Sequence, residues 1–264
     1  MGIQYSIYSN NDNKYRKYGW KVDTPDQRDI QYKPGEIKIN KKVDLRKKSP
    51  GIYNQGKLGS CTANAIAAAY EFNEIKQDEK NIFTPSRLFI YYNERYMEKT
   101  TEYDSGANIR DGIKSVNKQG VCDETDWPYD INKFTIKPND GCYKVANNHK
   151  SIQYKRIKQD IIDMKKCISS GLPFVFGFGV YESFECKNVA ESGRMTVPKQ
   201  DEKLLGGHAV MAVGYDDLNE KFIIRNSWGI EWGDRGYFYM PYSFIENQKM
   251  CSDFWCIEKV IDSE

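Results

Sequence analysis

CTANAIAAAYEFNEIKQ, residues 61–77, is alanine-rich and free of Gly and Pro, and places Ile66, Ala69, Tyr70 and Asn73 at i, i+3, i+4 and i+7. The spacing predicts a helix with Cys61 in its first turn. SRLFIYYNERYMEK at 86–99, with Ser86 as a cap, and NIRDGIKSVNKQ at 108–119, stopped by Gly120, read as two more helices. The text beyond residue 150 changes period. PFVFGFGVY (173–181), HAVMAVGYDD (208–217), KFIIRNSW (221–228) and GYFYMPY (236–242) are β-branched and aromatic runs bounded by Gly, Asp or Asn. KQDIIDMKKCISSG (158–171) interrupts them as a helix to be packed on the sheet. A helical half followed by a β half, without βαβ alternation, is an α+β protein with an antiparallel sheet or barrel. A site is then expected in the cleft between the halves.

The 264 residues suffice for a sizeable core, and with 39% hydrophobic and 29% charged residues no stretch approaches the roughly 18 apolar residues of a membrane helix. Lys and Arg number 39 against 37 Asp and Glu, a net charge of +2, so nucleic acid is not the expected partner. Residues 1–42 are polar, with Tyr5, Tyr8, Tyr15, Tyr18 and Trp20 interspersed and Pro25 and Pro34 as breaks, and read as an arm whose aromatics dock on something. No secretory leader and no Asn-x-Ser/Thr acceptor is visible, so an intracellular or virion-associated setting is expected, with an acidic vesicle as the alternative.

Seven cysteines and only two histidines, His149 and His208, narrow the chemistry. The unpaired N–H groups of a helix start favour a thiolate, so Cys61 is expected to have a depressed pKa, and Gly56 and Gly59 leave room for close approach to the sulfur. An imidazole base for it must be His208, after Gly206 and Gly207 at a strand start, or His149, whose polar surroundings read as plain surface. Asn226, in Asn226-Ser227-Trp228-Gly229, can accept a hydrogen bond from the imidazole and hold its orientation, with the adjacent Trp228 screening the bond from water. Cys251 and Cys256 lack Cys-x-x-Cys spacing, so neither a metal nor another cofactor is expected.

These three segments resemble the papain-like cysteine peptidases. Gln55 stands six positions before Cys61 within a Gly59-Ser60-Cys61 match, Gly207-His208-Ala209-Val210 resembles the histidine strand of the cathepsin B branch, and Asn226-Ser227-Trp228-Gly229 with Trp232-Gly233 matches the asparagine block. His208 follows Cys61 by 147 positions and Asn226 follows His208 by 18, in the order and near the distance of that family. The resemblance begins at Val43-Asp44-Leu45-Arg46, which is similar to the mature N-terminal strand, and runs nearly to the C-terminus. It implies a helical left domain and a barrel-like β right domain with the active site between them. It also implies Cys61 as nucleophile, His208 as its base and acid, Asn226 as orienter, and Gln55 beside the Cys61 N–H in the oxyanion hole. Gly106, Gly207 and Trp228 would touch substrate.

Leu58 stands where the family has a disulfide cysteine and Thr62 where Trp or Tyr is usual, and Asp104-Ser105-Gly106-Ala107 is the nearest match to the Cys-x-Gly-Gly wall. These departures point to a divergent bacterial or viral branch. The other six cysteines permit 15 pairings, and the sequence does not choose among them. The expected function is that of a monomeric endopeptidase acting on protein or peptide substrates. An idle binding scaffold and a transamidating enzyme are the alternatives. No histidine lies in the polar insertion 181–205, so a histidine-armed exopeptidase loop is not expected. The expected domains are an arm at 1–42, an abbreviated prosegment that lies in or beside the cleft, and a catalytic domain at 43–264 whose helical half is roughly 50–150 and β half 151–250. The floor of the main specificity pocket is expected around 251–254.

Overall fold

A computed structural model describes residues 18–77 and 82–262 of the chain, and Tyr5, Tyr8 and Tyr15 of the arm lie outside them. In chain order the first half carries β1 (Trp20–Lys21), β2 (Lys42–Asp44), α1 (Cys61–Gln77), α2 (Arg87–Met97), β3 (Ala107–Asn108), α3 (Ile109–Gln119) and α4 (Asp140–Ala146). The second half carries β4 (His149–Arg156), α5 (Ile161–Ser169), β5 (Phe174–Tyr181), α6 (Lys187–Ser192), β6 (Leu204–Asp216), β7 (Lys221–Arg225), β8 (Tyr237–Pro241), α7 (Tyr242–Ile245) and β9 (Cys251–Asp262).

The α+β reading holds: helices dominate the first half and an antiparallel sheet the second. The sheet runs β4-β9-β5-β6-β7-β8, with β2 added on β6, and does not close into a barrel. Its central strands β5, β6 and β7 are apolar because both faces are covered. On β5 and β6, Val175, Ala209, Met211 and Val213 face the helical core, while Phe174, Phe176, Val210 and Ala212 face an aromatic core beneath β7 and β8.

α1 was expected to be amphipathic and is instead buried from Cys61 through Glu74, with α2, α3, β6 and β9 packed around it. A helix enclosed on all sides needs small residues, and its run of alanines lets the neighbouring backbones close in. Ser86 caps α2 by accepting from the Phe89 N–H at 3.1 Å, and Gly120, at φ +79°, ends α3 where its added Cβ would lie 1.6 Å from the Ala146 carbonyl oxygen.

One reading requires correction. His149 is not in a plain surface stretch: it opens β4, its ring packs edge-on against Phe83 at 4.8 Å, and Val121 donates to its carbonyl. The tail around 251–254 is the start of a twelve-residue strand, β9, lying between β4 and β5.

Candidate active site

β6 and β7 run antiparallel with Met211 opposite Arg225, so His208 and Asn226 meet at one end of the pair despite their separation in sequence. His208 Nε2 lies 2.8 Å from Asn226 Oδ1. The amide oxygen is a pure acceptor, so Nε2 carries the hydrogen and donates, and Nδ1 is the basic nitrogen. Asn226 is itself oriented, because the Ser227 N–H donates to the same Oδ1 at 2.8 Å. Trp228 stacks on the imidazole at 4.8 Å and 28°, and the T-shaped Phe178 packs on it at 5.7 Å. The His208–Asn226 bond is thereby covered by aromatic surface, as its position beside Trp228 predicted.

Gln55 is fixed by four bonds, one of them from the Tyr129 hydroxyl to its carbonyl at 3.0 Å. Its backbone N–H donates to Ser227 O at 2.8 Å, its Oε1 accepts from Ser227 Oγ at 2.7 Å, and its Nε2 donates to Leu58 O at 3.0 Å. The second Nε2 hydrogen is the one available to a developing oxyanion.

Cys61 opens α1 as expected, but its thiol is not acidified. Burial pushes it up to about 11, and the backbone N–H groups of Ala209, Gly19 and Thr62, which favour the thiolate, do not offset that loss of water. The helix-start effect is worth about 1 kcal/mol at most exposed sites, too little against full desolvation. The cause of the burial is the arm. Gly19 crosses the thiol so closely that a Cβ on it would lie 1.7 Å from Gly59 O, and its carbonyl accepts from Ala107 N at 2.7 Å.

From there β1 pairs in parallel with β3, Trp20 opposite Ala107 and Lys21 opposite Asn108. The Trp20 ring occupies the space a Cβ on Gly177 would need, at 1.9 Å, and its Nε1 donates to Asp253 Oδ2 at 3.2 Å. On the other side of Gly19, the Tyr18 ring lies 6.4 Å from that of Trp228, and its hydroxyl donates to Glu185. All three residues expected to touch substrate therefore line the arm's path. Gly106 lies under the Gly19 carbonyl, Gly207 under the Trp20 carbonyl, and Trp228 against Tyr18.

The sequence reading missed Glu94. Thr62, next to Cys61, donates to its Oε1 at 2.6 Å, and burial pushes its carboxyl well above the usual carboxylate range. All seven cysteines are free thiols. No helix among the described residues is long and apolar enough to cross a membrane.

Residues 39–254 match the model of the papain family of cysteine proteases, and the chain belongs to that family. It is 46% identical over 274 aligned positions to an uncharacterized peptidase C1-like protein of Acanthamoeba polyphaga mimivirus, covering 94% of this chain and 88% of the viral one. The structure superposes on that of xylellain, a cysteine protease from Xylella fastidiosa, with a TM-score of 0.86 and 46% identity, covering 93% of this chain and 97% of that one. Cysteine proteinase 2 of Entamoeba histolytica is 28% identical, over 80% of this chain and 66% of its own length. The chain is thus a papain-like cysteine peptidase, and these bacterial and viral relatives suit the departures at Leu58 and Thr62.

Proposed function

We propose that this protein is a cysteine endopeptidase in which the Cys61 thiolate attacks a peptide carbonyl, and that residues 18–29 hold the enzyme idle until they are displaced. His208 Nδ1 takes the thiol proton while Nε2–H stays on Asn226. The sulfur adds to the carbonyl carbon. The oxyanion accepts from the Cys61 N–H and Gln55 Nε2–H, each worth roughly 3 kcal/mol to the transition state. The imidazolium then protonates the leaving amine, and a thioester joins the acyl part to Cys61. Water, deprotonated by His208, attacks the thioester; the acid leaves and the thiol is restored.

The observation that carries this reading is Gly19 of the arm lying over the turn that leads into Cys61, so close that a Cβ on it would sit 1.7 Å from Gly59 O, with neither Cys61 nor His208 exposed. The Gly19 carbonyl is turned to the left wall, where it accepts from the Ala107 N–H at 2.7 Å. The arm therefore blocks the thiol without offering it a bond to cut. Its length, from Tyr18 to the strand at Lys42, is consistent with an abbreviated prosegment.

A side chain at position 19 collides with the Gly59 backbone, so Gly19→Leu lifts the arm in the full-length chain. Labelling by an epoxide inhibitor of thiol peptidases and hydrolysis of a peptide should both rise roughly a hundredfold in Gly19→Leu, about 3 kcal/mol of docking, and vanish in Cys61→Ala. A chain starting near Asn40 should behave as Gly19→Leu does. Equal rates in the wild-type and Gly19→Leu chains would refute the restraint; no labelling of either would favour an idle scaffold.

A further inference from the structure

Counted outward from Cys61, the arm places Gly19 at the thiol, Trp20 over Gly177, and Lys21 on the left wall of the cleft. There Lys21 Nζ sits 2.9 Å from Glu98 Oε2. Glu98 follows the last turn of α2, and its other oxygen accepts from the Asn108 N–H at 2.7 Å, so a backbone bond aims the carboxylate at the cleft. Its side chain is only 11% exposed. Asp111 on α3 and the buried Glu94 share this corner, Lys114 and Lys118 lie near Asp111, and Lys21 is the one cation in an ion pair with Glu98 among the described residues. Glu98 does not touch Cys61, His208, Asn226 or Gln55. Displacing the arm would leave an oriented carboxylate without its cation, beside the strand edge on which an extended peptide lies.

Resting on the reading above, we propose that Glu98 is a specificity-determining residue that selects a lysine or arginine at the third residue from the scissile bond. A substrate's third residue lies N-terminal to the scissile bond, so an extended substrate runs opposite to the arm and antiparallel to β3, and two residues out from the thiol it brings a side chain over the spot that Lys21 occupies. The carboxylate attracts a base and repels an acid, and Asp111 adds to the repulsion.

The test uses the full-length Gly19→Leu/Lys21→Met chain, with the arm lifted and Glu98 vacated, and the substrates Xaa-Phe-Gly-aminomethylcoumarin with Xaa lysine, norleucine or glutamate. The lysine peptide should show a kcat/KM about five-fold above the norleucine peptide, the range of a partly exposed ion pair, and the glutamate peptide should be slowest. Glu98→Gln in that background should bring the lysine-to-norleucine ratio near one, and 0.5 M salt should shrink it. Equal kcat/KM for lysine and norleucine, or a ratio unchanged in Glu98→Gln, would overturn the inference while leaving the peptidase reading intact. Hydrolysis of none of the three, with Cys61 unlabelled, would instead overturn the peptidase reading. The preference is then read from binding of fluorescein-labelled Lys-Phe-Gly and its norleucine counterpart, and equal Kd values would overturn it.

Discussion

The arm is held at two places by different physics. In the cleft, 18–21 fits mainly by shape: Gly19 against the Gly59 backbone, the Trp20 ring on Gly177, and the Tyr18 ring beside Trp228, with one bond each from Tyr18, Trp20 and Lys21 to Glu185, Asp253 and Glu98. Beyond it, 23–29 is held by charge. The Asp23 side chain is fully buried; its carboxylate accepts from Trp255 Nε1 at 2.9 Å and from Arg110 N at 3.1 Å, while its backbone N–H donates to Asp253. Arg110 pairs with Asp29, and Arg156 contacts Asp29 at 3.3 Å, Asp23 at 3.4 Å and Asp253 at 2.9 Å. Three carboxylates thus meet two guanidiniums. A fit of shapes ignores pH over the range where carboxylates titrate; a cluster with one acid too many does not. Burial first, then the Asp253 charge, pushes Asp23 up to about 6.

The comparison breaks most sharply at Trp20. Removing its ring empties the space over Gly177, so Trp20→Ala should loosen the arm by about 4 kcal/mol. Epoxide labelling of Cys61 in the full-length chain should rise toward the Gly19→Leu rate at every pH. Wild-type protection in Trp20→Ala would show that the charged segment alone holds the arm.

Acidity probes the other segment. The docked state binds a proton at Asp23 more tightly than the released state, whose pKa is near 3.8. Docking is therefore strongest below that value, and the added stability is lost as pH rises through about 6. Protection of Cys61, taken as the labelling rate of Gly19→Leu over wild type so that the thiol's own titration cancels, should fall up to roughly a hundredfold from pH 4 to pH 8. Asp23→Asn should flatten the profile. Protection that instead grows with pH would refute the assignment. The smallest effect belongs to Tyr18→Phe, which removes only the bond to Glu185 and should raise labelling about five-fold, near 1 kcal/mol, independent of pH.

What the sequence made legible follows from how each element is buried. α1, α2, α3, α5 and the strands β5 to β8 announce themselves by period or by apolar runs. β4 does not, because it lies at the edge of the sheet and its text, HKSIQYKR, is mostly polar. β9 hides for another reason: Asp253, at φ +60°, breaks its pairing with β5, and the residue spends its carboxylate on the arm instead of on a pattern. Cys61, His208, Asn226 and Gln55 were readable only through motif resemblance, since no periodicity joins residues that a sheet and a helix start bring together. The arm that carries 23–29 was expected in or beside the cleft. Its partners Arg110, Arg156 and Asp253 were not readable, because contacts 80 to 230 positions apart leave no local trace.

The arm is also continuous with β2, whose pairing with β6 pins the chain at Lys42 opposite Asp216. A blocking segment tethered at so short a range returns to its groove at an effective concentration on the order of millimolar. A protein substrate present at micromolar levels competes against that return for as long as the chain is whole. A single cut between 29 and 42 abolishes the tether and dilutes the segment into bulk solution. Under the proposed restraint, displacement of the arm would be reversible, whereas cleavage of this connector would commit the enzyme.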